Sequence, residues 1–164
     1  MPAPVSLMPH PNQVLLTRFY DALARRDGDA MAACYHPDAT FRDEVFTLHG
    51  EEPGMMWRML CERGKDLRVV ASRIQANDHS GSAHWEADYT FSQTGRAVHN
   101  EIDASFTFQD GLIRTHVDRF DFHAWSRQAL GVPGLLLGWT PWLRARVRSE
   151  ARKGLDAYIA TRAA

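Results

Sequence analysis

The chain has little cysteine. Cys34 and Cys61 are the only two cysteines among 164 residues, and they form no CxxC pair. Closely spaced thiols are the usual sign of a zinc site, a redox centre or a disulfide scaffold. We therefore expect two buried free thiols in a reducing compartment rather than a disulfide.

The chain also lacks a surplus of charge of either sign. Lys and Arg together number 19 and Asp and Glu 20, which gives a net charge of −1 and an isoelectric point near 6.7. Nucleic-acid-binding domains are usually strongly basic. We therefore expect no nucleic-acid partner.

Long apolar runs are missing as well. The densest run, 132–139, is interrupted by Pro133, Gly134 and Gly138, whereas a membrane-spanning helix needs about 20 apolar residues. Residues 1–13 contain neither the basic segment nor the apolar segment of a signal peptide. The sequence thus predicts a cytoplasmic protein without an integral membrane segment, in which the proline-rich residues 1–11 form a disordered arm.

The sequence is otherwise that of one globular domain of mixed class. Its composition is 45% hydrophobic and 24% charged, which is ordinary for a folded domain. Helical spacing of apolar residues predicts three N-terminal helices, at 12–26, at 30–35 and from residue 50 onward. Residues 39–43 are predicted to form a short strand, and residues 67–76 are rich in Val, Ile and Leu. A meander of three strands is predicted at 82–91, 98–108 and 112–122. We expect an α+β domain over 12–122 and a helical extension packed on it over 123–164.

Two stretches of the sequence resemble the nuclear transport factor 2-like superfamily, in its SnoaL-like and ketosteroid-isomerase-like branch. They read FYDALARRDGDAMAACYHPDATFRD and TGRAVHNEIDASFTFQDGLI, and the resemblance extends over residues 12–122. It implies a cone-shaped curved antiparallel sheet covered by the three helices, an apolar pocket, and a homodimer formed through the outer sheet face. The fold carries isomerases, dehydratases, hydrolases, cyclases and non-enzymatic adaptors, so it does not define a reaction.

The resemblance also implies positions for catalytic groups. The general-base position of the ketosteroid isomerases falls on Asp43, which matches. Their oxyanion-binding Tyr and Asp positions fall on Phe19 and Ala104, which do not match. Tyr20 and Asp103 lie one step off and are expected to face elsewhere. Steroid isomerisation by that mechanism is therefore not expected.

The alternating strands predict which side chains line the cone. The predicted ligand-binding residues are aromatic with one amide, and they would suit a flat, ring-bearing ligand: Trp57, Trp85, Tyr89, Asn100, Phe106 and Phe120. The alternative is that these aromatic side chains simply fill the core.

Three titratable residues are the predicted catalytic groups. If Phe120 points inward on the last strand, His116 and Asp118 do so too, and Asp43 lies on the facing short strand. Neighbouring carboxyl groups shift each other's pKa and can supply an acid and a base together. The alternatives are that His116 and Asp118 form a buried structural pair, and that Asp43 caps a turn.

The outward face of the strands and the C-terminal helix carry the remaining charged groups. The outward residues are polar, and we expect a solvated face or, by the resemblance, the dimer interface: His84, Glu86, Asp88, His99, Glu101 and Asp103. We expect no bound metal and no cofactor, since the sequence has no HExxH motif and no cysteine pair. The C-terminal helix is rich in arginine, and three roles stay open for it: closing the pocket, forming the dimer or touching a membrane.

We arrive at three hypotheses for function. The first is a cofactor-independent enzyme performing isomerase, dehydratase or hydrolase chemistry on an apolar cyclic small molecule. The second is a non-catalytic protein that binds such a molecule. The third is a dimeric interaction module with a filled core.

Overall fold

A computed structural model describes residues 8–163. The elements in chain order are α1 (Pro11–Ala24), α2 (Gly28–Ala32), β1 (Tyr35–Arg42), β2 (Thr47–His49), α3 (Glu52–Arg63), β3 (Arg68–Ala76), β4 (Ser80–Phe91), β5 (Arg96–Gln109), β6 (Leu112–Arg119), α4 (Phe122–Leu130), α5 (Val132–Leu137) and α6 (Pro141–Ala163). Of the predicted disordered arm 1–11, residues 1–7 lie outside the described residues.

The strands form one six-stranded sheet in the order β2-β1-β6-β5-β4-β3. All neighbours are antiparallel except β1 and β6, which run parallel. The register shifts between Ser72 and Gln75 in β3 and between Thr107 and Phe108 in β5. Irregularities of this kind bend strands and increase their twist, which fits the curvature of the sheet. The sheet is open, because its edge strands β2 and β3 do not pair with each other. The predicted α+β class with a curved sheet is confirmed.

The concave face of the sheet is covered by the N-terminal helices. In α1, the residues Leu16, Phe19 and Leu23 are almost fully buried, and in α3 the same holds for Pro53, Met56 and Trp57. Their spacing of three and four positions places each set on one helix face. This face packs on the inward residues of the strands, and together they form the main core.

The C-terminal segment forms a second layer. Leu155 and Tyr158 of α6 belong to the main core, and α6 contacts α3. The helices α4 and α5 approach closely because Gly134 and Gly138 have no side chain; a Cβ at either position would overlap Ser126. Among the described residues, no helix is both long enough and apolar enough to cross a membrane.

Several predicted boundaries were wrong. Residues 33–35 are not helical, and β1 begins at Tyr35 rather than at residue 39. It ends at Arg42, so Asp43 lies just beyond the strand. Strand β2 and helix α5 were not predicted. The last strand ends at Arg119 instead of Phe122, because Asp121 caps α4 by accepting a hydrogen bond from the amide of Ala124.

Candidate functional site

A hydrogen-bonded chain of side chains crosses the interior of the cone. His116 Nε2 lies 2.8 Å from Asp118 Oδ1, and His116 Nδ1 lies 2.8 Å from Tyr35 Oη. The indole of Trp57 donates to Tyr35 Oη over 2.8 Å, and the indole of Trp85 donates to Asp118 over 3.5 Å. Tyr35 thus joins Trp57 to His116, and Asp118 joins His116 to Trp85.

The chain is enclosed by aromatic rings. The His116 side chain is 0% exposed and that of Asp118 is 3% exposed. The ring centroids of Phe106, Phe41 and Phe19 lie 4.3, 4.9 and 5.7 Å from that of His116. Both His116 nitrogens already have partners here. His116 and Asp118 point inward, as predicted. They also pair with each other, as expected if they form a buried structural pair.

One buried polar group in this interior has no partner. Tyr20 is 3% exposed and packs against Trp85 and Phe106, with ring centroids 6.3 and 6.4 Å apart. Among the described residues, its hydroxyl is the one buried side-chain polar atom without a hydrogen bond. Burial, followed by the nearby charge of Asp118, raises the pKa of Tyr20 well above its usual value. The expectation that Tyr20 faces elsewhere was therefore wrong.

Asp43 lies in the turn between β1 and β2. Its Oδ1 accepts hydrogen bonds from the backbone amides of Val45 at 2.7 Å and Phe46 at 2.6 Å. Asp43 therefore caps this turn. Among residues 8–163 no hydrogen bond to its other oxygen, Oδ2, is present. Asp43 is half-buried.

The surroundings of Asp43 favour its neutral form. Burial raises its pKa to about 6; the two backbone hydrogen bonds and His116 act in the opposite direction, and the charge of Asp118 adds to the rise. A carboxyl group with such a pKa can release or accept a proton near neutral pH. The structure places Asp43 close enough to His116 and Asp118 for these electrostatic effects, but not within hydrogen-bond distance of either.

Three of the predicted ligand-binding residues are half-buried: Tyr89, Asn100 and Phe120. Tyr89 and Phe120, together with Val45, lie where the main core meets a second apolar cluster built around Phe122 and Trp125. We call this region the mouth. The Tyr89 hydroxyl accepts a 2.7 Å hydrogen bond from the Trp125 indole.

Asn100 lies on the same face of β5 as the buried Val98 and Ile102, and it pairs in register with Ala87. Among the described residues, no hydrogen bond to its side-chain amide is present. The amide is thus a donor and an acceptor on the inward side of the sheet.

The other three predicted ligand-binding residues lie deep in the interior. Trp57, Trp85 and Phe106 are 3%, 8% and 2% exposed. The Trp57 and Trp85 rings are 6.0 Å apart, with their planes at 62°. The sequence thus identified two different groups of residues, one packed in the core and one at the mouth.

The C-terminal extension is fixed beside the mouth. Arg144 of α6 makes a 3.0 Å ion pair with Glu44, and Arg148 donates to the backbone carbonyl of Glu44 over 3.0 Å. Val147 of α6 packs on the second apolar cluster. The turn that carries Asp43 is therefore held between the sheet and α6.

Sequence reasoning missed Tyr35 and Trp125 as parts of the site. Tyr35 is the last residue of the predicted helix 30–35, whereas in the structure it begins β1. Trp125 lies in the extension, outside the region of the resemblance, and no sequence pattern connects it with Tyr89.

Comparison with known proteins assigns the fold to a family. The family model described as the SnoaL-like domain matches residues 16–116, which is more than half of the chain. The chain belongs to the SnoaL-like family. No curated protein matches this SnoaL-like chain.

Solved structures agree with this assignment. An epoxide hydrolase from M. tuberculosis is 19% identical, with a TM-score of 0.59, over 77% of this chain and 96% of its own. A protein of ketosteroid isomerase-like fold from Catenulispora acidiphila, solved in complex with trimethylamine, is 14% identical, with a TM-score of 0.63, over 77% and 97%. A nuclear transport factor 2-like protein of unknown function from Burkholderia pseudomallei is 19% identical, with a TM-score of 0.59, over 68% and 91%. At these identities the likeness concerns the fold of the SnoaL-like domain.

Proposed function

We propose that this SnoaL-like protein is a cofactor-independent enzyme that performs acid–base chemistry on an apolar cyclic small molecule at the mouth of the cone. The observation that carries the proposal is the Asp43 carboxyl group: it is half-buried, has a pKa raised to about 6, and its Oδ2 is free of hydrogen bonds to described residues. A group with this pKa is mostly ionised at pH 7 and still a usable base.

In this proposal each residue has a separate role. Asp43 Oδ2 removes a proton from the substrate, or from a water molecule that attacks it, while the bonds from Val45 and Phe46 fix the orientation of the carboxyl group. Asn100 hydrogen-bonds a carbonyl or hydroxyl oxygen of the substrate. Tyr89 and Phe120 contact its ring. Isomerisation, dehydration and hydration all use this set of groups.

His116 and Asp118 act on Asp43 through their charges in this proposal. Both His116 nitrogens are engaged by Tyr35 and Asp118. The pair therefore shifts the pKa of Asp43 rather than donating a proton to the substrate. The unpaired Tyr20 hydroxyl is a further donor for a ligand oxygen that enters the interior. An unsatisfied buried hydroxyl costs stability, and a ligand oxygen would remove that cost.

Ligand binding is tested with a thermal-shift panel of steroids, terpenes and polyketide-like aromatic compounds. A ligand at 100 times its Kd stabilises by about 2.7 kcal/mol, which for a chain of this length raises Tm by about 5–10 °C. Wild type, Asp43→Asn and Asn100→Ala are each compared with their own ligand-free Tm. Asp38→Asn is the matched control, because Asp38 is an exposed residue of β1. We expect a hit that both mouth variants weaken and the control does not.

A second candidate function has its own supporting observation. Trp57, Trp85 and Phe106 are buried and belong to one packed cluster, and a filled interior favours a dimeric interaction module. If no compound in the panel changes Tm, the enzyme proposal fails and this candidate remains.

We further propose that the protein forms a homodimer through the outer sheet face. The support is the resemblance to the superfamily and the length of β4 and β5, which span 12 and 14 residues. Sedimentation equilibrium measures the mass independently of shape: we expect twice 18.6 kDa, and a monomer at micromolar concentration would contradict it. Val117→Arg on the outward face of β6 should favour the monomer, whereas Arg119→Lys should not.

A further inference from the structure

The outer face of the sheet carries a compact set of histidine and carboxylate groups that the cone does not use. Its members pair directly across β4 and β5: His84 with Asp103, Glu86 with Glu101, and Asp88 with His99. The inward neighbours on β4 are Ala83, Trp85 and Ala87, which are buried. The set is therefore on the opposite side of the sheet from the mouth.

Both imidazole rings are held in the same way. His84 Nδ1 lies 2.9 Å from Asp103 Oδ1, and His99 Nδ1 lies 2.7 Å from Asp88 Oδ1. A carboxylate on one ring nitrogen fixes the ring and leaves the other nitrogen as the free ligand atom, as it does at many metal-bound histidines.

The free nitrogens of both rings point at one carboxylate. His84 Nε2 lies 3.8 Å from Glu86 Oε2, and His99 Nε2 lies 3.3 Å from Glu86 Oε1. The ligand atoms of His84, Glu86 and Glu101 all lie within 4.8 Å of one another. In a tetrahedral zinc site, ligand atoms at about 2.0–2.2 Å from the ion are about 3.3–3.6 Å apart, so side-chain movements of about 1–1.5 Å bring these atoms into range.

The arrangement of charges in this set also favours a bound cation. Glu86 and Glu101 are direct cross-strand neighbours, and like charges in that position destabilise a sheet. Arg68 of β3 pairs in register with Asp88, and Arg119 of β6 pairs in register with Asp103. These arginines are therefore at the two ends of the set, and the glutamate pair is in its centre.

We propose that His84, Glu86 and Glu101 bind a divalent transition-metal ion, with His99 Nε2 as the fourth ligand. Two nitrogens and two carboxylate oxygens suit Zn²⁺. Asp103 and Asp88 position the rings. A bound ion would neutralise the glutamate pair and connect β4 to β5 on the outer face, independently of any chemistry in the cone.

Isothermal titration with Zn²⁺ alone, on the full chain in a non-chelating buffer at pH 7.5, tests the proposal. We expect one ion per chain with a micromolar Kd. His84→Ala and Glu101→Gln should each weaken binding at least tenfold. His79→Ala is the matched control, because His79 is an exposed histidine next to β4, and it should bind as wild type does. Circular dichroism verifies that each variant is folded.

A second readout distinguishes coordination from loose association. Co²⁺ bound by four ligands in place of Zn²⁺ gives visible absorption bands, which should be present in wild type and absent in His84→Ala. Absence of zinc binding to wild type, equal binding by His84→Ala, or half an ion per chain would each overturn the proposal.

Discussion

Replacing Asp43 by Asn should stabilise the protein, and more so at neutral than at acidic pH. The folded protein raises the pKa of Asp43 from 3.8 to about 6, so the fold binds the proton more tightly than the unfolded chain does. Stability therefore falls as pH rises from about 4 to 6. Above pH 6 the full cost of the ionised carboxyl group is about 2.2 × 1.36, or roughly 3 kcal/mol. Asn carries no charge, and its oxygen still accepts from the amides of Val45 and Phe46.

Urea unfolding of both proteins at pH 4.5 and pH 7.5 measures this effect. The advantage of Asp43→Asn in unfolding free energy should grow by about 2 kcal/mol between these pH values, because at pH 4.5 the wild-type group is already largely protonated in the fold. Asp38→Asn, an exposed substitution in β1, is the matched control. An Asp43→Asn protein that is less stable at pH 7.5, or a difference that does not vary with pH, would refute the reasoning.

Three further substitutions test the interior and the extension. Tyr20→Phe removes a buried hydroxyl without a partner and should raise the unfolding free energy by about 1 kcal/mol; a loss measured in urea would mean that the hydroxyl has a partner. Tyr35→Phe leaves His116 Nδ1 and the Trp57 indole N–H each without a hydrogen-bond partner and should cost about 2–4 kcal/mol in the same assay, so an unchanged midpoint would disprove the network. Gly134→Ala places a Cβ against the backbone carbonyl oxygen of Ser126 in α4. Calorimetry should therefore show a Tm several degrees lower, and an unchanged Tm would mean that α5 does not pack against α4.

The periodicity of the sequence was enough to predict the main elements of the fold. Alternation in β4 and β5 assigned inward and outward faces correctly, because a strand with one buried face has to alternate. Short elements were the ones missed. Strand β2 has three residues, too few for a period, and β1 begins at Tyr35 because it pairs in parallel with β6, a contact 78 positions distant in sequence.

The site was predictable to a similar extent. The inward direction of His116 and Asp118 follows from the alternation of β6, but their hydrogen-bond partners come from other elements. Tyr35 reaches His116 from β1, and Trp85 reaches Asp118 from β4. Tyr20 was misjudged because it is one position away from Phe19, yet both side chains are buried, and Tyr20 packs against Trp85 of β4 and Phe106 of β5.

Turnover of a panel hit as a function of pH tests most directly whether Asp43 is the catalytic base at the mouth. We expect kcat/KM of wild type to rise through about pH 6, as the carboxyl group ionises, and Asp43→Asn to lose at least tenfold in turnover while remaining folded. Equal turnover by Asp43→Asn, or a rate that does not change between pH 5 and pH 7, would contradict the account.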